Sequence, residues 1–188
     1  MRKNQFLLLT AIICSSFVFG CSSSKLIYQI DPDFAQLSSA LESKEIVYVD
    51  VTDNRVAEIN TTTLTIIEAD TPDAEALKSK LTQFLKDNQF KIINRVLLAD
   101  IGLEIKIIDL KLSLTSELFK SKLTGESKLE MIIHKKSKQW SKTYKTSRSQ
   151  EVANPVNEFD ATGVINQMLT KQFNNIFSDK ELIDFISK

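Results

Sequence analysis

The sequence predicts an α/β protein of the α+β kind. The expected architecture is a two-layer sandwich: a mixed, mostly antiparallel sheet with two amphipathic helices packed on one face. Three observations predict it. Residues 101–148 alternate apolar and polar with a period of two, as half-buried strands do. Two other segments, after Thr71 and after Pro155, place their apolar residues at helical spacing on a single face. The order is strand, helix, strand, meander, helix, and elements with one apolar face each bury those faces by pairing into two layers.

Leu26, Tyr28 and Ile30 alternate with polar neighbours and predict a short strand ended by Asp31-Pro32-Asp33. Ile46-Val47-Tyr48-Val49-Asp50-Val51 is β-branched and aromatic, a firmer strand closed by Thr52-Asp53-Asn54. Residues 61–67 are rich in Thr and Ile and read as an edge strand or a loop of strand character. Thr71-Pro72-Asp73 predicts a helix start, with Thr71 as cap, Pro72 at the first helical position, and Asp73 and Glu75 on the positive end of the dipole. Leu77, Leu81, Phe84 and Leu85 fall on its buried face, and Asn88 is expected to end it in the left-handed conformation. Phe90 to Val96 is the returning strand.

In the meander, Leu103, Ile105 and Ile107 share one parity, while Ile108, Leu110, Leu112 and Leu114 share the other. A β-bulge near Ile107-Ile108 accounts for the slip. Leu123, Gly125, Leu129, Met131 and Ile133 keep one face, Lys135-Lys136-Ser137-Lys138 is a polar turn, and Trp140 and Tyr144 return on one face. Asp160 is the expected cap of the last long helix, whose stripe is Ile165, Met168, Leu169, Phe173, Ile176 and Phe177. Ser178-Asp179 caps a short terminal turn carrying Leu182, Phe185 and Ile186.

The N-terminus reads as an address. Arg2 and Lys3 precede an apolar run of 14 residues, Phe6 to Phe19, broken by Thr10, Cys14, Ser15 and Ser16. As a helix that run spans about 21 Å, short of a hydrocarbon core of about 30 Å, so a secretory signal is favoured over a membrane span. Val18-Phe19-Gly20-Cys21 resembles a bacterial lipobox, which implies cleavage before Cys21 and lipidation of that residue. Loss of residues 1–20 would remove Cys14 and leave one Cys, and a lone oxidisable thiol outside the cytoplasm needs a reason. Ser22 follows, where lipoproteins held in the inner membrane carry Asp, so the resemblance implies the periplasmic face of the outer membrane. The expected organisation is a lipoprotein signal peptide over 1–20, a lipidated N-terminus and tether over 21–30, and one periplasmic α/β domain over 31–188.

The strand through Asp53-Asn54-Arg55, the segment Leu85-Lys86-Asp87-Asn88-Gln89-Phe90, the meander ending Trp140-Ser141-Lys142-Thr143-Tyr144-Lys145, and the close Ile183-Asp184-Phe185-Ile186 together resemble the YajG family of bacterial lipoproteins. The resemblance spans most of residues 45–188. It implies an outer-membrane lipoprotein of Gram-negative bacteria, with no catalytic residue to carry over.

Composition narrows the function classes. There are 24 Lys+Arg against 24 Asp+Glu, so a strongly basic nucleic-acid binder is not the first expectation, and the aromatics are not spaced as stacking platforms. His134 is the single His, and a metal site or a general base needs partners, so it reads as an exposed strand-end residue. Four Gly are too scattered for a phosphate loop, and no cofactor is expected. Asp50 and Asp53 are a candidate carboxylate pair of the glycosidase kind, with strand-end turn chemistry as the simpler reading. Charge is uneven. Residues 31–75 hold eleven acids and two bases, whereas 120–148 hold nine bases and two acids. Lys135, Lys136 and Lys138 are the candidate contacts for an anionic partner, set against a solvated hairpin whose lysines protect a sheet edge. The functional expectation is a non-enzymatic envelope binding or assembly lipoprotein. Its partners would be the membrane, through Cys21, and an envelope protein or glycolipid. An auxiliary subunit of a lipid or lipopolysaccharide transport system and a periplasmic hydrolase are the alternatives.

Overall fold

The structure is a computed structural model that describes residues 25–34, 45–55 and 66–187. The signal segment, Cys21 and the first part of the 61–67 stretch lie outside these residues. Strands β1 (Lys25–Tyr28) and β3 (Ile66–Ala69) pair in parallel as a small two-stranded sheet. Strands β2 (Ile46–Asp53), β4 (Lys91–Ile93), β5 (Ile101–Ser116), β6 (Lys120–Lys135) and β7 (Lys138–Ala153) form the main sheet in the order β4-β2-β5-β6-β7. Helices α1 (Asp73–Asp87), α2 (Glu158–Phe177) and α3 (Lys180–Ser187) complete the described elements. The predicted two-layer sandwich with a mixed sheet is the architecture found.

One face of the main sheet is apolar across β2, β5 and β6, because directly paired residues share a face, whereas the edge strand β7 places Lys142, Thr146 and Arg148 beside Trp140 and Tyr144 on that side. Val47 lies opposite Ile101, Val49 opposite Leu103 and Val51 opposite Ile105. Across β6, Leu103 meets Ile133, Ile105 meets Met131 and Ile107 meets Leu129. All of these are buried, and Leu77, Leu81 and Leu85 of α1 join Ile165, Met168, Leu169 and Phe173 of α2 in the same core. Phe34, Phe84, Phe173 and Phe177 interlock at its centre, with ring centroids 4.9 Å apart for Phe34–Phe84 and Phe34–Phe173 and 5.2 Å for Phe84–Phe177.

The parity slip in β5 is a bulge. Pairing runs Ile107–Leu129, then Asp109–Lys128, leaving Ile108 as the extra residue. Leu110, Leu112 and Leu114 thereby lie opposite Ser127, Gly125 and Leu123 on the buried face. At Gly125 α2 comes close to the sheet, since a Cβ built there would sit 3.2 Å from Met168 Sδ and 3.4 Å from Val164 Cγ1.

Four local expectations are corrected. Thr71 is not the cap of α1; Pro72 occupies that place without a side-chain hydrogen bond, and Asp73 turns inward. Asn88 is not left-handed: it keeps φ −93° while its Nδ2 donates to Phe84 O at 2.8 Å, and Gln89 takes φ 68° instead. The returning strand ends at Ile93, and Val96–Leu98 forms a 3₁₀ turn. The reason is topological: β4 and β5 both run parallel to β2 on its two sides, so the chain must travel back between them. Asp160 is the third residue of α2, not its cap. Asn157 Oδ1 accepts from Asp160 N at 3.0 Å while Asp160 Oδ2 accepts from Asn157 N at 3.2 Å, a capping box. Asp179 does cap α3, accepting from Glu181 N at 2.9 Å.

Phe173 is fully buried against Phe34 and Phe177. Phe173→Ala is expected to lower unfolding free energy by about 3–5 kcal/mol in a urea titration, from lost burial plus the cavity left behind. A loss below about 1 kcal/mol would mean that the site collapses around the truncation and the cluster is not the centre of the core.

Candidate functional site

The geometry that matters is the long axis of the sheet. Strands β5, β6 and β7 are each 16 residues long and so span about 50 Å. One end carries the β6–β7 turn, the start of β5 and the C-terminal helix α3. The other carries the β5–β6 turn, the end of β7 and the N-terminus of α2.

The first end holds the lysine cluster. The turn is tight: Lys135 pairs with Lys138, and Lys136 adopts φ 55° between them. Left-handed backbone costs a residue with a Cβ roughly 1–2 kcal/mol, and such turns favour Asn or Gly. Lys136 and Lys138 are exposed. Lys135 is not part of their free surface. Its side chain is 11% exposed, its Nζ lies 2.9 Å from Glu45 Oε1, and it also donates to Ile186 O. Only Lys136 and Lys138 of the three predicted contacts therefore face solvent. Two open clefts flank them. One, of about 430 Å³, is lined by Lys136, Lys138, Trp140, Asp184 and Phe185; the other, of about 720 Å³, by Glu45, Val96, Asp100, Gly102, His134 and Lys136. Above the second, Val96, Leu97 and Leu98 are 53%, 94% and 62% exposed. Sequence reasoning missed this apolar ledge because it placed Val96 in a strand.

His134 sits in that cleft, half-exposed, 3.9 Å from Glu104 Oε2. Among the described residues no group of His, Cys, Asp and Glu is arranged to hold a metal ion. Asp50 and Asp53 do not form a free carboxylate pair. Lys78 Nζ reaches Asp50 Oδ1 at 2.8 Å, and Arg55 Nε and NH2 reach Asp53 at 2.9 and 2.5 Å.

Arg55 is the hub of a cluster that sequence reasoning did not find. Its NH1 lies 2.7 Å from Asp73 Oδ2 and donates to Leu110 O at 3.0 Å. Tyr28 Oη donates to Asp73 Oδ1 at 3.0 Å. The Asp73 side chain is 3% exposed, and its burial pushes the carboxyl above the ordinary range despite Arg55 and Tyr28. Burial first, and the neighbouring Asp73 second, push the Tyr28 phenol up. Hydrogen bonds from Arg55 hold Asp53 low. Arg55 Nε, NH1 and NH2 each meet an acceptor within the protein, so this cluster is a structural junction of β1, β2, β5 and α1.

A second polar network ties β7 to the last two helices. Tyr144 Oη donates to Asp179 Oδ2 at 2.7 Å, and Lys142 Nζ lies 2.8 Å from both Asp179 Oδ2 and Glu181 Oε2. Burial opposes the Asp179 charge, but the bonds from Lys142 and Tyr144 hold its carboxyl below the usual value. Burial and the Asp179 bond push the Tyr144 phenol up. Gln172, fully buried, donates to Tyr144 O at 3.0 Å.

Two stability predictions follow from these networks. Arg55→Met strands the buried Asp73 charge and is expected to cost up to about 3 kcal/mol at pH 7, at the lower end for breaking a buried pair because the guanidinium is 30% exposed. Asp73 titrates higher than usual in the fold, so protonation relieves the stranded charge and the cost should shrink on going to pH 4; denaturant titrations at both pH values read it. A penalty that grows with acid would exclude Asp73 as the cause. For Asp179 the sign is opposite. Its depressed value contributes stability that is present above about pH 4 and lost as pH falls through and below the unfolded carboxylate value. Thermal melts should show Asp179→Asn losing less stability than wild type between pH 7 and pH 3.

No helix among the described residues is long and apolar enough to cross a membrane. No curated protein matches the sequence. Among solved structures, protein XCC0632 from Xanthomonas campestris is 14% identical, with 85% of this chain and 97% of that chain covered and a TM-score of 0.54. Lipoprotein GNA1162 from Neisseria meningitidis is 12% identical over 69% and 97%, with a TM-score of 0.35. The rare lipoprotein B from Shewanella oneidensis is 9% identical over 74% and 93%, also at 0.35. Of these three the first shows a shared fold, and nothing more is drawn from the others. The model of the Lipoprotein_16 family, described as uncharacterized lipoprotein, matches residues 32–187. The sequence order, the mixed sandwich and this match over most of the chain agree: the protein belongs to the Lipoprotein_16 family of YajG-type lipoproteins.

Proposed function

We propose that the protein is a non-enzymatic envelope lipoprotein, held through a lipid on Cys21 at the periplasmic face of the outer membrane, whose far end binds a partner protein. One observation carries the reading: the exposed large hydrophobic residues among the described ones fall at the two ends of the long sheet, three at each. Followed backwards, β1 points to one end, which leaves the other about 50 Å away for a partner. That end offers an apolar ledge, Val96–Leu98, beside two cations, Lys136 and Lys138, and two clefts. Exposed apolar patches rimmed by charge suit association with a protein of complementary, acidic rim. Lys136 in a left-handed position supports the same reading, since turn geometry alone would select Asn or Gly.

The hydrolase alternative loses its candidate pair, because Asp50 and Asp53 are each tied to a cation. The apolar pocket lined by Val47, Leu85, Leu103, Met131 and Phe177 is about 40 Å³, too small to carry a lipid, so an auxiliary role in a lipid or lipopolysaccharide transport system would rest on the same partner-binding end.

Two measurements test the proposal. Cys21→Ala is expected to abolish incorporation of labelled palmitate, and labelling that persists would place the lipid elsewhere. A photocrosslinking amino acid at Leu97 is expected to give one discrete adduct in cells. Reversing Lys136 and Lys138 to Glu should weaken that association about tenfold, at roughly 0.5–1 kcal/mol per rim charge. No adduct at Leu97, or one indifferent to the reversal, would contradict a partner at this end. A glycolipid adduct would keep the surface and change the partner's class.

A further inference from the structure

The end opposite the lysines carries Leu118 and Phe119 in the β5–β6 turn, 92% and 88% exposed, and Phe159 in the first turn of α2, 83% exposed. A solvated hairpin turn ordinarily carries Gly, Asn, Asp or Ser, so two large apolar side chains there need an occupant. The turn is fastened in place. Glu117 N donates to Lys120 O at 2.9 Å, Asn154 Nδ2 donates to Glu117 O at 2.7 Å, and Ser121 Oγ donates to Asn154 Oδ1 at 2.5 Å.

The course of the N-terminal chain says what covers this end. Gln29 N, Asp31 N and Asp33 N donate in succession to Thr162 Oγ1, Asn166 Oδ1 and Thr170 Oγ1, at 3.2, 2.8 and 3.0 Å. The segment after β1 therefore runs alongside α2 in the same direction. Followed backwards, β1 leads towards the N-terminus of α2, the end that holds Phe159, Leu118 and Phe119. Cys21 precedes Lys25 by four residues, a reach of at most about 14 Å. Lys120 is paired with Glu151 at 2.9 Å and Lys25 with Glu68 at 2.8 Å, and the residues flanking the apolar side chains, Glu117 and Glu158, are acidic, so the surface offers apolar contact more than attraction to anionic headgroups.

We infer that Leu118, Phe119 and Phe159 form a bilayer contact, entering the interfacial layer of the membrane that carries the Cys21 lipid and standing the sheet on end upon it. The inference rests on the proposed anchor and deepens it: the lipid supplies attachment, the three side chains orientation.

The test uses the full-length lipidated protein in vesicles whose acyl chains are brominated, with unbrominated vesicles as reference. Wild type reports from Trp140, the single Trp, at the far end. Phe119→Trp and Phe159→Trp, each with Trp140→Phe, report from the proposed contact. Both positions are exposed, so the fold should survive, and thermal melts check it. Flotation with the vesicles reads the anchor separately. The expected result is a blue shift and loss of most emission in brominated vesicles for both reporters, unchanged at high salt, with Trp140 emission unaltered. Protein that floats while Phe119→Trp and Phe159→Trp emit equally in both vesicles overturns the contact and leaves the anchor standing. Quenching of Trp140 as strong as theirs overturns the orientation. Protein that fails to float overturns the anchor, and the contact with it.

Discussion

Most of this fold follows from having to cover the apolar face that two paired 16-residue strands, β5 and β6, present along their length. A face about 50 Å long cannot be covered by one ordinary helix; α2, with 20 residues, spans about 30 Å. The rest is covered by α1, α3 and the small β1–β3 sheet, which join the same core. The bulge at Ile107/Asp109 makes the face continuous. Without the extra residue, Leu110, Leu112 and Leu114 would turn to the solvent side, because a one-residue slip inverts every following side chain. The large apolar side chains left uncovered stand at the two ends of the ribbon, in the β4–β5 and β5–β6 connections and the first turn of α2.

The cluster at Arg55 settles the path of the chain across that layer. Arg55 follows β2, Asp73 opens α1, Tyr28 ends β1 and Leu110 lies just past the bulge in β5. A buried carboxylate is costly unless paired and hydrogen-bonded, and here it is both. Its contribution is to lock β1 against α1 and the bulged strand, more than to add net stability. With β1 held there and its continuation hydrogen-bonded along α2, the direction of β1 is fixed. Local polar contacts thus determine which end of the sheet faces the proposed anchor.

Periodicity made most of this legible from the sequence. The alternation in β5 and β6, the bulge, and the stripes of α1 and α2 are local patterns set by whether a side chain meets the core, and each stands as read. Capping was less legible, because Asp160 and Asn157 are both good caps and only the reciprocal hydrogen bonds decide their order. The functional surface was half legible. Three adjacent lysines look alike in a sequence, yet Lys135 is neutralised by Glu45, 90 residues earlier, while Lys136 and Lys138 are exposed. Long-range pairings such as Arg55–Asp73 leave no periodic trace at all. The exposed ledge at Val96–Leu98 and the turn at Leu118-Phe119 were hidden for a related reason: an apolar residue in a sequence is read as core until a structure shows that nothing covers it.

On the proposed reading the molecule is a post, attached at one end and binding at the other, and its height above the bilayer tests that most directly. Neutron reflectometry on a supported bilayer carrying the lipidated full-length protein measures the thickness of the protein layer. An upright ribbon predicts a layer of about 50 Å, the length of its strands. A layer of about 20 Å, the depth of one helix on one sheet, would mean that the protein lies flat and that the two ends do not have separate roles.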